Sequence, residues 1–349
     1  MKTYNLCLLG FGNVGRALLR LLQEKTVELR ERYHIDWRLT GVATRRLGWL
    51  ANPEGLDVSA LLAEQFEHIQ TVEAGNNVRD WLAAGKADAL FELTSLNVES
   101  GQPAIEHIRA ALEHGAHAIT ANKGTVVHGY HELQELAQRQ QRRFLFEATV
   151  MGGAPIFSLF ASSLPAANIV RFRGLLNSTS NVIIAEIERG KSFEHAVQTA
   201  QELGIAETDP SADIDGWDAA VKVSAIATVL MDAPIPLEQI EVEGIRHLDA
   251  AQVQAARAAG TPYKLVAQIE KNEDGIKAFV KPLPLPAHDP LAAVTGGSML
   301  AHFELDVLPG LTITLDVPDN GPAGPLGPAV TAYDVLADFI RAVQSEQRV

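Results

Sequence analysis

The stretch Leu6-Cys7-Leu8-Leu9-Gly10-Phe11-Gly12-Asn13-Val14-Gly15 decides the reading of this chain. Four apolar residues run straight into a G-x-G-x-x-G turn, and the residues from Val14 to Leu29 carry apolar side chains at helical spacing. The bare glycine pattern says little; a strand before it and a helix after it give it meaning. In that setting Gly10 permits a tight turn, Gly12 lets the backbone approach a pyrophosphate, and Gly15 lets helix and strand pack closely. Asn13, Val14 and Gly15 open the helix, whose free N–H groups and positive dipole end favour phosphate. A dinucleotide site over Gly10, Gly12, Asn13, Val14 and Gly15 follows.

Outward from this turn, short apolar runs alternate with helical patterns. Trp37–Ala43, Ala89–Thr94, His117–Thr120 and Phe144–Ala148 read as strands, and Pro103–His114 and Glu132–Gln140 as helices. That alternation implies an α/β fold with a Rossmann-type, doubly wound parallel sheet over residues 1–150, binding ligands at the carboxyl ends of its strands. A glycine-rich turn, Met151 to Pro155, ends the pattern. Residues 151–315 mix strands (170–176, 265–270, 276–280) with helices (181–189, 193–203, 217–230), as expected of an α+β domain for substrate binding and dimerisation. A Gly- and Pro-rich loop, Pro318 to Pro328, precedes a last helix over 330–343, so residues 316–349 are expected to return to the nucleotide-binding domain.

Composition narrows the function. With 47% hydrophobic and 21% charged residues among 349, the chain is globular and long enough for two cores. No apolar run reaches the roughly 18 residues that span a bilayer, and the N-terminus lacks a signal-peptide pattern. The lone Cys7 suits a reducing, cytoplasmic setting, and its place between Leu6 and Leu8 argues against a catalytic thiol. A net charge of −14 without a basic stripe speaks against nucleic acid. A small molecule is the expected partner. His107, His114 and His117 are too spread to read as a metal site and are expected at helix surfaces or in loops.

Strand two ends in Ala43-Thr44-Arg45-Arg46, where an NAD site usually carries an acid and an NADP site an arginine. Arg45 therefore favours NADP, with NAD possible. Thr94 and Ser95, at the end of another strand, are placed for the nicotinamide ribose or carboxamide. Lys123, in Thr120-Ala121-Asn122-Lys123-Gly124, follows a strand at the same ligand edge.

The segment Glu207 to Lys222 packs five carboxylates and one lysine around a turn and a helix start: Glu207-Thr208-Asp209-Pro210-Ser211-Ala212-Asp213-Ile214-Asp215-Gly216-Trp217-Asp218, then Lys222. The helix from Ala219 to Leu230 is apolar on nearly every side and should be buried. Asp218 and Lys222, four apart, share a face. A lysine there costs free energy unless paired, and desolvation favours its neutral form, which suits a general acid or base. The structural alternatives are an Asp215 N-cap with Asp218 completing a capping box, and a Lys222 that reaches solvent.

These residues resemble homoserine dehydrogenase. Ala200, Gly204, Ala206, Asp209-Pro210, Asp213, Gly216, Asp218 and Lys222 match that family's signature at every position. The Gly10–Gly15 turn, Thr120–Lys123, Glu147–Pro155, Leu175–Asn177 and Thr331-Ala332 follow in family order. The resemblance implies NAD(P)-dependent interconversion of L-homoserine and L-aspartate 4-semialdehyde in threonine, methionine and isoleucine biosynthesis, and a homodimer. It further implies Lys222 as general acid/base, Lys123 assisting at the reacting oxygen, Asp218 in catalysis and substrate binding, and Glu207 and Asp213 as further substrate ligands. Gly327, in the C-terminal glycine loop, goes to the cofactor. Sodium or a similar monovalent cation is implied near the domain hinge, held by Glu147 and the backbone of Val150, Gly152 and Ala154.

The chain departs from the family at Ser178, where a glycine is usual, and in the prolines of Gly321-Pro322-Ala323-Gly324-Pro325-Leu326-Gly327-Pro328. With no room after Val349 for a regulatory domain, little feedback by threonine is expected. Two other readings remain open: a dehydrogenase of this fold acting on another hydroxy amino acid, and an NADP-binding sensor without turnover.

Overall fold

A computed structural model describes residues 1–273, 275–317 and 326–347. The chain divides into two compact units, Met1–Gly153 with Leu326–Val349, and Ala154–Pro325.

The first unit is built on β1 (Lys2–Leu9), β2 (Ile35–Thr44), β3 (Gly48–Ala51), β4 (Ala89–Glu92), β5 (His117–Thr120) and β6 (Phe144–Leu145), in the sheet order β3-β2-β1-β4-β5-β6. Every neighbouring pair is parallel except β2 with β3. The strand β3 was not anticipated; Arg45, Arg46 and Leu47 alone join it to β2, and so short a link permits only a hairpin. The helices are α1 (Asn13–Tyr33), α2 (Val58–Leu62), α3 (Val78–Ala84), α4 (Ala104–His114) and α5 (Lys123–Arg139). Leu6 and Leu8 of β1 and Leu18, Leu19 and Leu22 of α1 are fully buried in one core. The doubly wound sheet expected from the glycine turn is therefore present, and the reversal of strand order between β1 and β4 marks the edge where such sheets take ligands.

The second unit holds α6 (Ile156–Ser163), β7 (Ile169–Leu175), α7 (Ser178–Glu188), α8 (Phe193–Glu202), α9 (Ser211–Ile214), α10 (Trp217–Leu230), β8 (Glu241–Val242), α11 (Ala250–Ala258), β9 (Tyr263–Asn272), β10 (Gly275–Pro284), β11 (Met299–Leu305) and β12 (Leu311–Leu315). Its sheet runs β12-β11-β7-β9-β10-β8, antiparallel throughout except for the pair β10 and β8. This is the α+β arrangement expected.

The last helix, α12 (Leu326–Gln347), belongs to the first unit. Its Ala332, Val335, Leu336, Phe339 and Val343 enter the core of β1 and α1. Of the C-terminal loop, residues 318–325, with Gly321 and Gly324, lie outside the described residues. No helix among the described residues is long and apolar enough to cross a membrane.

Candidate active site

In the first unit a cleft of about 820 Å³ opens at the glycine turn, lined by Gly10, Gly12, Arg45, Thr94 and Ser95 among others. Gly10 has φ 101°, and a Cβ there would stand 2.4 Å from the Leu93 carbonyl oxygen, so glycine is obligatory. Its N–H donates to the Ala43 carbonyl at 2.9 Å, tying the turn to the end of β2. At Gly12 a Cβ would meet nothing within 4 Å: this is the open side from which a phosphate can approach backbone. Gly12 also caps α1 without a side-chain bond, which leaves the first turn, Asn13 to Gly15, as a helix N-terminus suited to an anion. These features fit a dinucleotide. Gly327 opens α12, where its carbonyl accepts from the Thr331 hydroxyl at 2.9 Å, and it is not among the residues lining the cleft.

Beneath Thr94 lies a carboxylate that the sequence reading passed over. Glu92, fully buried at the end of β4, accepts from the Thr94 hydroxyl and, at 3.2 Å, from the Thr120 hydroxyl. Asn122 continues the network: its amide donates to the Thr94 and Ser95 carbonyls at 3.2 and 3.3 Å, while its Oδ1 caps α5 through the Gly124 N–H at 3.0 Å. Lys123 is therefore the first residue of a helix whose start is bolted to the Thr94–Ser95 loop.

The histidines correct an expectation. His107 is a largely buried side chain whose Nδ1 stands 3.5 Å from Glu92 Oε1, so it has a carboxylate partner and lines the cleft. His117 is buried on β5, with Nδ1 accepting from the Arg143 N–H at 3.1 Å. Among the described residues no group of three or more His, Cys, Asp or Glu side chains is arranged to hold a metal ion. Burial pushes the Cys7 thiol up to about 12, as suits an inert core residue.

In the second unit, α9 and α10 bring Asp213, Asp218 and Lys222 to the N-terminus of α7. Lys222 Nζ pairs with Asp218 at 2.7 Å and donates to the Leu176 carbonyl at 2.6 Å. The hub is Asn177, to which the sequence reading gave no role. Its Oδ1 caps α7 through the Ser180 N–H at 2.8 Å, and its amide donates to Asp213 at 2.6 Å and Asp218 at 3.0 Å. Burial first, and then the charge of Asp218, raise the Asp213 carboxyl above its ordinary range.

Lys222 is thus neither uncompensated nor extended into solvent. The capping-box alternative also fails. The N-cap of α10 is Gly216 at φ 84°, and Asp215 instead meets Arg246 at 2.9 and 3.0 Å. Glu207 is exposed, with its carbonyl accepting from Gln201 at 3.3 Å, and it stands outside the Asn177 network. Ser178 occupies the first turn of α7 with a negative φ, so the usual glycine is not required by the backbone there.

Around the chain's exit from the first unit, Glu147 is buried and its Oε2 lies 3.1 Å from Arg341. Its N–H donates to Asp338 at 2.9 Å, and the Gly153 N–H donates to Asp334 at 2.8 Å. Burial pushes Asp338 up to about 6 and Asp334 up to about 7. Glu147, Asp334 and Asp338, all buried, thus lie close to the Arg341 guanidinium, which pairs with Glu147 and Asp338. The Ala154 carbonyl accepts from the Ile156 N–H at 2.9 Å.

Comparison with known proteins gives a consistent result. A family model described as homoserine dehydrogenase matches residues 155–340, and one described as homoserine dehydrogenase, NAD binding domain, matches residues 10–147. An NAD(+)-dependent homoserine dehydrogenase of Pseudomonas canavaninivorans is 34% identical over 100% of this chain and 98% of its own length. A homoserine dehydrogenase of Methanocaldococcus jannaschii is 30% identical over 99% of this chain and 100% of its own. Among solved structures, a homoserine dehydrogenase from Thiobacillus denitrificans matches with a TM-score of 0.81 and 28% identity, over 100% of this chain and 75% of that one. A hyperthermophilic archaeal homoserine dehydrogenase mutant in complex with NADPH matches with a TM-score of 0.78 and 28% identity, over 99% and 98%.

Proposed function

The chain belongs to the homoserine dehydrogenase family, and on that premise we propose that it interconverts L-homoserine and L-aspartate 4-semialdehyde with NAD or NADP. One observation carries the reading: a lysine on a buried helix, held by Asp218 and the Leu176 carbonyl, with Asp213 joined to the same pair through Asn177. An ammonium has three donors. Two go to those partners, and the third is the one we assign to the substrate oxygen.

The nicotinamide supplies or accepts the hydride at the alcohol carbon. In oxidation the Lys222 amine takes the hydroxyl proton as that carbon loses hydride; in reduction the Lys222 ammonium returns a proton to the oxygen. Asp218 holds the amine in place. Lys123 polarises the same oxygen, and Asp213, Asp218 and Glu207 offer carboxylates to the substrate ammonium. Gly10, Gly12 and the first turn of α1 would hold the pyrophosphate and Thr94 and Ser95 the nicotinamide end, while Gly327 is assigned to the cofactor by the family resemblance alone. Glu147 and the carbonyls of Val150, Gly152 and Ala154 would hold sodium, which offsets the buried carboxylates. A cytoplasmic homodimer is the assembly we infer.

The test is absorbance of reduced cofactor with homoserine, run with NAD and NADP in parallel. Wild-type turnover is expected with at least one. Lys222→Ala should lose on the order of a hundredfold or more in kcat while still binding dinucleotide. An unchanged rate removes Lys222 from the chemistry. Faster turnover of another hydroxy amino acid moves the substrate.

A further inference from the structure

The end of α2 is built in a way that stability alone does not require. The Gln65 N–H donates to the Ala60 carbonyl at 2.9 Å and the Glu64 N–H to the Leu61 carbonyl at 3.2 Å, with Glu64 left-handed at φ 61°. This paired closure of a helix usually places glycine at its left-handed position, because a Cβ is strained there. Here the position carries a glutamate, and its side chain has a definite direction. Glu64 Oε1 pairs with Arg16 at 2.9 Å, and the Arg16 guanidinium stacks on Phe11, 4.5 Å from the ring centre. Phe11, Arg16 and Glu64 line the glycine-turn cleft together with Arg45 and Arg46. The tip of β2 lacks the carboxylate that commonly receives a ribose 2′-hydroxyl. The cleft nevertheless has one, delivered from α2.

We propose that Glu64 sets the choice between NAD and NADP: it offers an acceptor to a ribose 2′-hydroxyl and opposes a 2′-phosphate, by its charge and by engaging Arg16. The proposal rests on the cofactor reading above. A 2′-phosphate is best held by guanidinium groups. A carboxylate in the same cleft repels that dianion and occupies one of the three arginines available to it. Glu64→Gln removes the charge and keeps the shape; Glu64→Gly also removes the left-handed strain.

The experiment measures Kd for NAD+ and for NADP+ by quenching of protein fluorescence, which Trp49 in the cleft wall should report. It uses the full chain as wild type, Glu64→Gln and Glu64→Gly, with melting temperatures alongside. Both variants are expected to shift the affinity ratio toward NADP+ by about tenfold, and Glu64→Gly is expected to melt no lower than wild type. A ratio unchanged within about twofold in both variants, with wild-type binding intact, overturns this proposal alone. A Glu64→Gly protein that melts lower and loses both dinucleotides equally also overturns it, since that is the behaviour of a structural ion pair. A wild type that binds neither dinucleotide overturns the cofactor reading and this proposal with it.

Discussion

Asp213 shows how a single residue trades stability for chemistry. Its carboxyl is raised chiefly by burial, then by the charge of Asp218, while the Asn177 amide works in the opposite sense. A carboxyl with a raised folded pKa keeps its proton where the unfolded chain, near the ordinary value of about 3.9, has lost it. Stability therefore falls as pH rises from that value through the folded one. Asp213→Asn keeps an acceptor for Asn177 and deletes the charge. The variant should match wild type in urea unfolding below about pH 4 and exceed it near pH 8, while its KM for homoserine rises about tenfold. Equal stability at both pH values would show that Asp213 is not held ionised against a cost. The residues that sequence makes legible are those defined by near neighbours, such as Gly10 or the Asp218–Lys222 pair. Asn177 was not legible as a hub, because its two carboxylate partners lie 36 and 41 residues further along the chain.

At the scale of elements, periodicity located the long helices and buried strands and failed where tertiary packing sets the outcome. α5 begins at Lys123, nine residues before the Glu132 expected from periodicity, because Gly124, Thr125, Val126, Val127 and Gly129 are poor helix formers. Packing selects the glycines: a Cβ on Gly124 would stand 2.8 Å from the Gly101 Cα, and one on Gly129 3.1 Å from Ile105. β11 and β12 went unseen because they gain their stability as a pair inside a sheet, not from local pattern. α12 was legible as a helix that returns to the first unit, but not in the side chains it meets there. Its Phe339 is fully buried and meets Tyr4 and Phe91 edge-on at 5.8 and 5.7 Å. Truncating such an aromatic costs about 3–5 kcal/mol. Phe339→Ala should therefore destabilise the first unit by that amount in denaturant melts and weaken dinucleotide binding with it. A loss below about 1 kcal/mol would mean that α12 is not part of that core.

For the whole molecule, the organising fact is that the chain leaves its first unit after Gly153 and returns at Leu326. The glycine-rich turn at 151–155 announced the exit in the sequence. The acids that secure it, Asp334 and Asp338, stand one helical turn apart, and nothing in the sequence near them points to their partners at Glu147, Gly153 and Arg341. Residues nearly two hundred positions apart thus share one buried cluster of ionisable groups, and no local pattern encodes that. If a monovalent cation completes this site through Glu147 and neighbouring carbonyls, it binds the folded chain and not the unfolded one, and mass action must then stabilise the fold. At a hundredfold excess over its dissociation constant the gain is about 2.7 kcal/mol, several degrees in melting temperature for a chain of this size. Sodium chloride should therefore raise the melting temperature above that in choline chloride at equal ionic strength, a comparison that cancels general screening. Glu147→Gln should abolish the difference. Identical melting in the two salts would mean that the cation has no place in this protein.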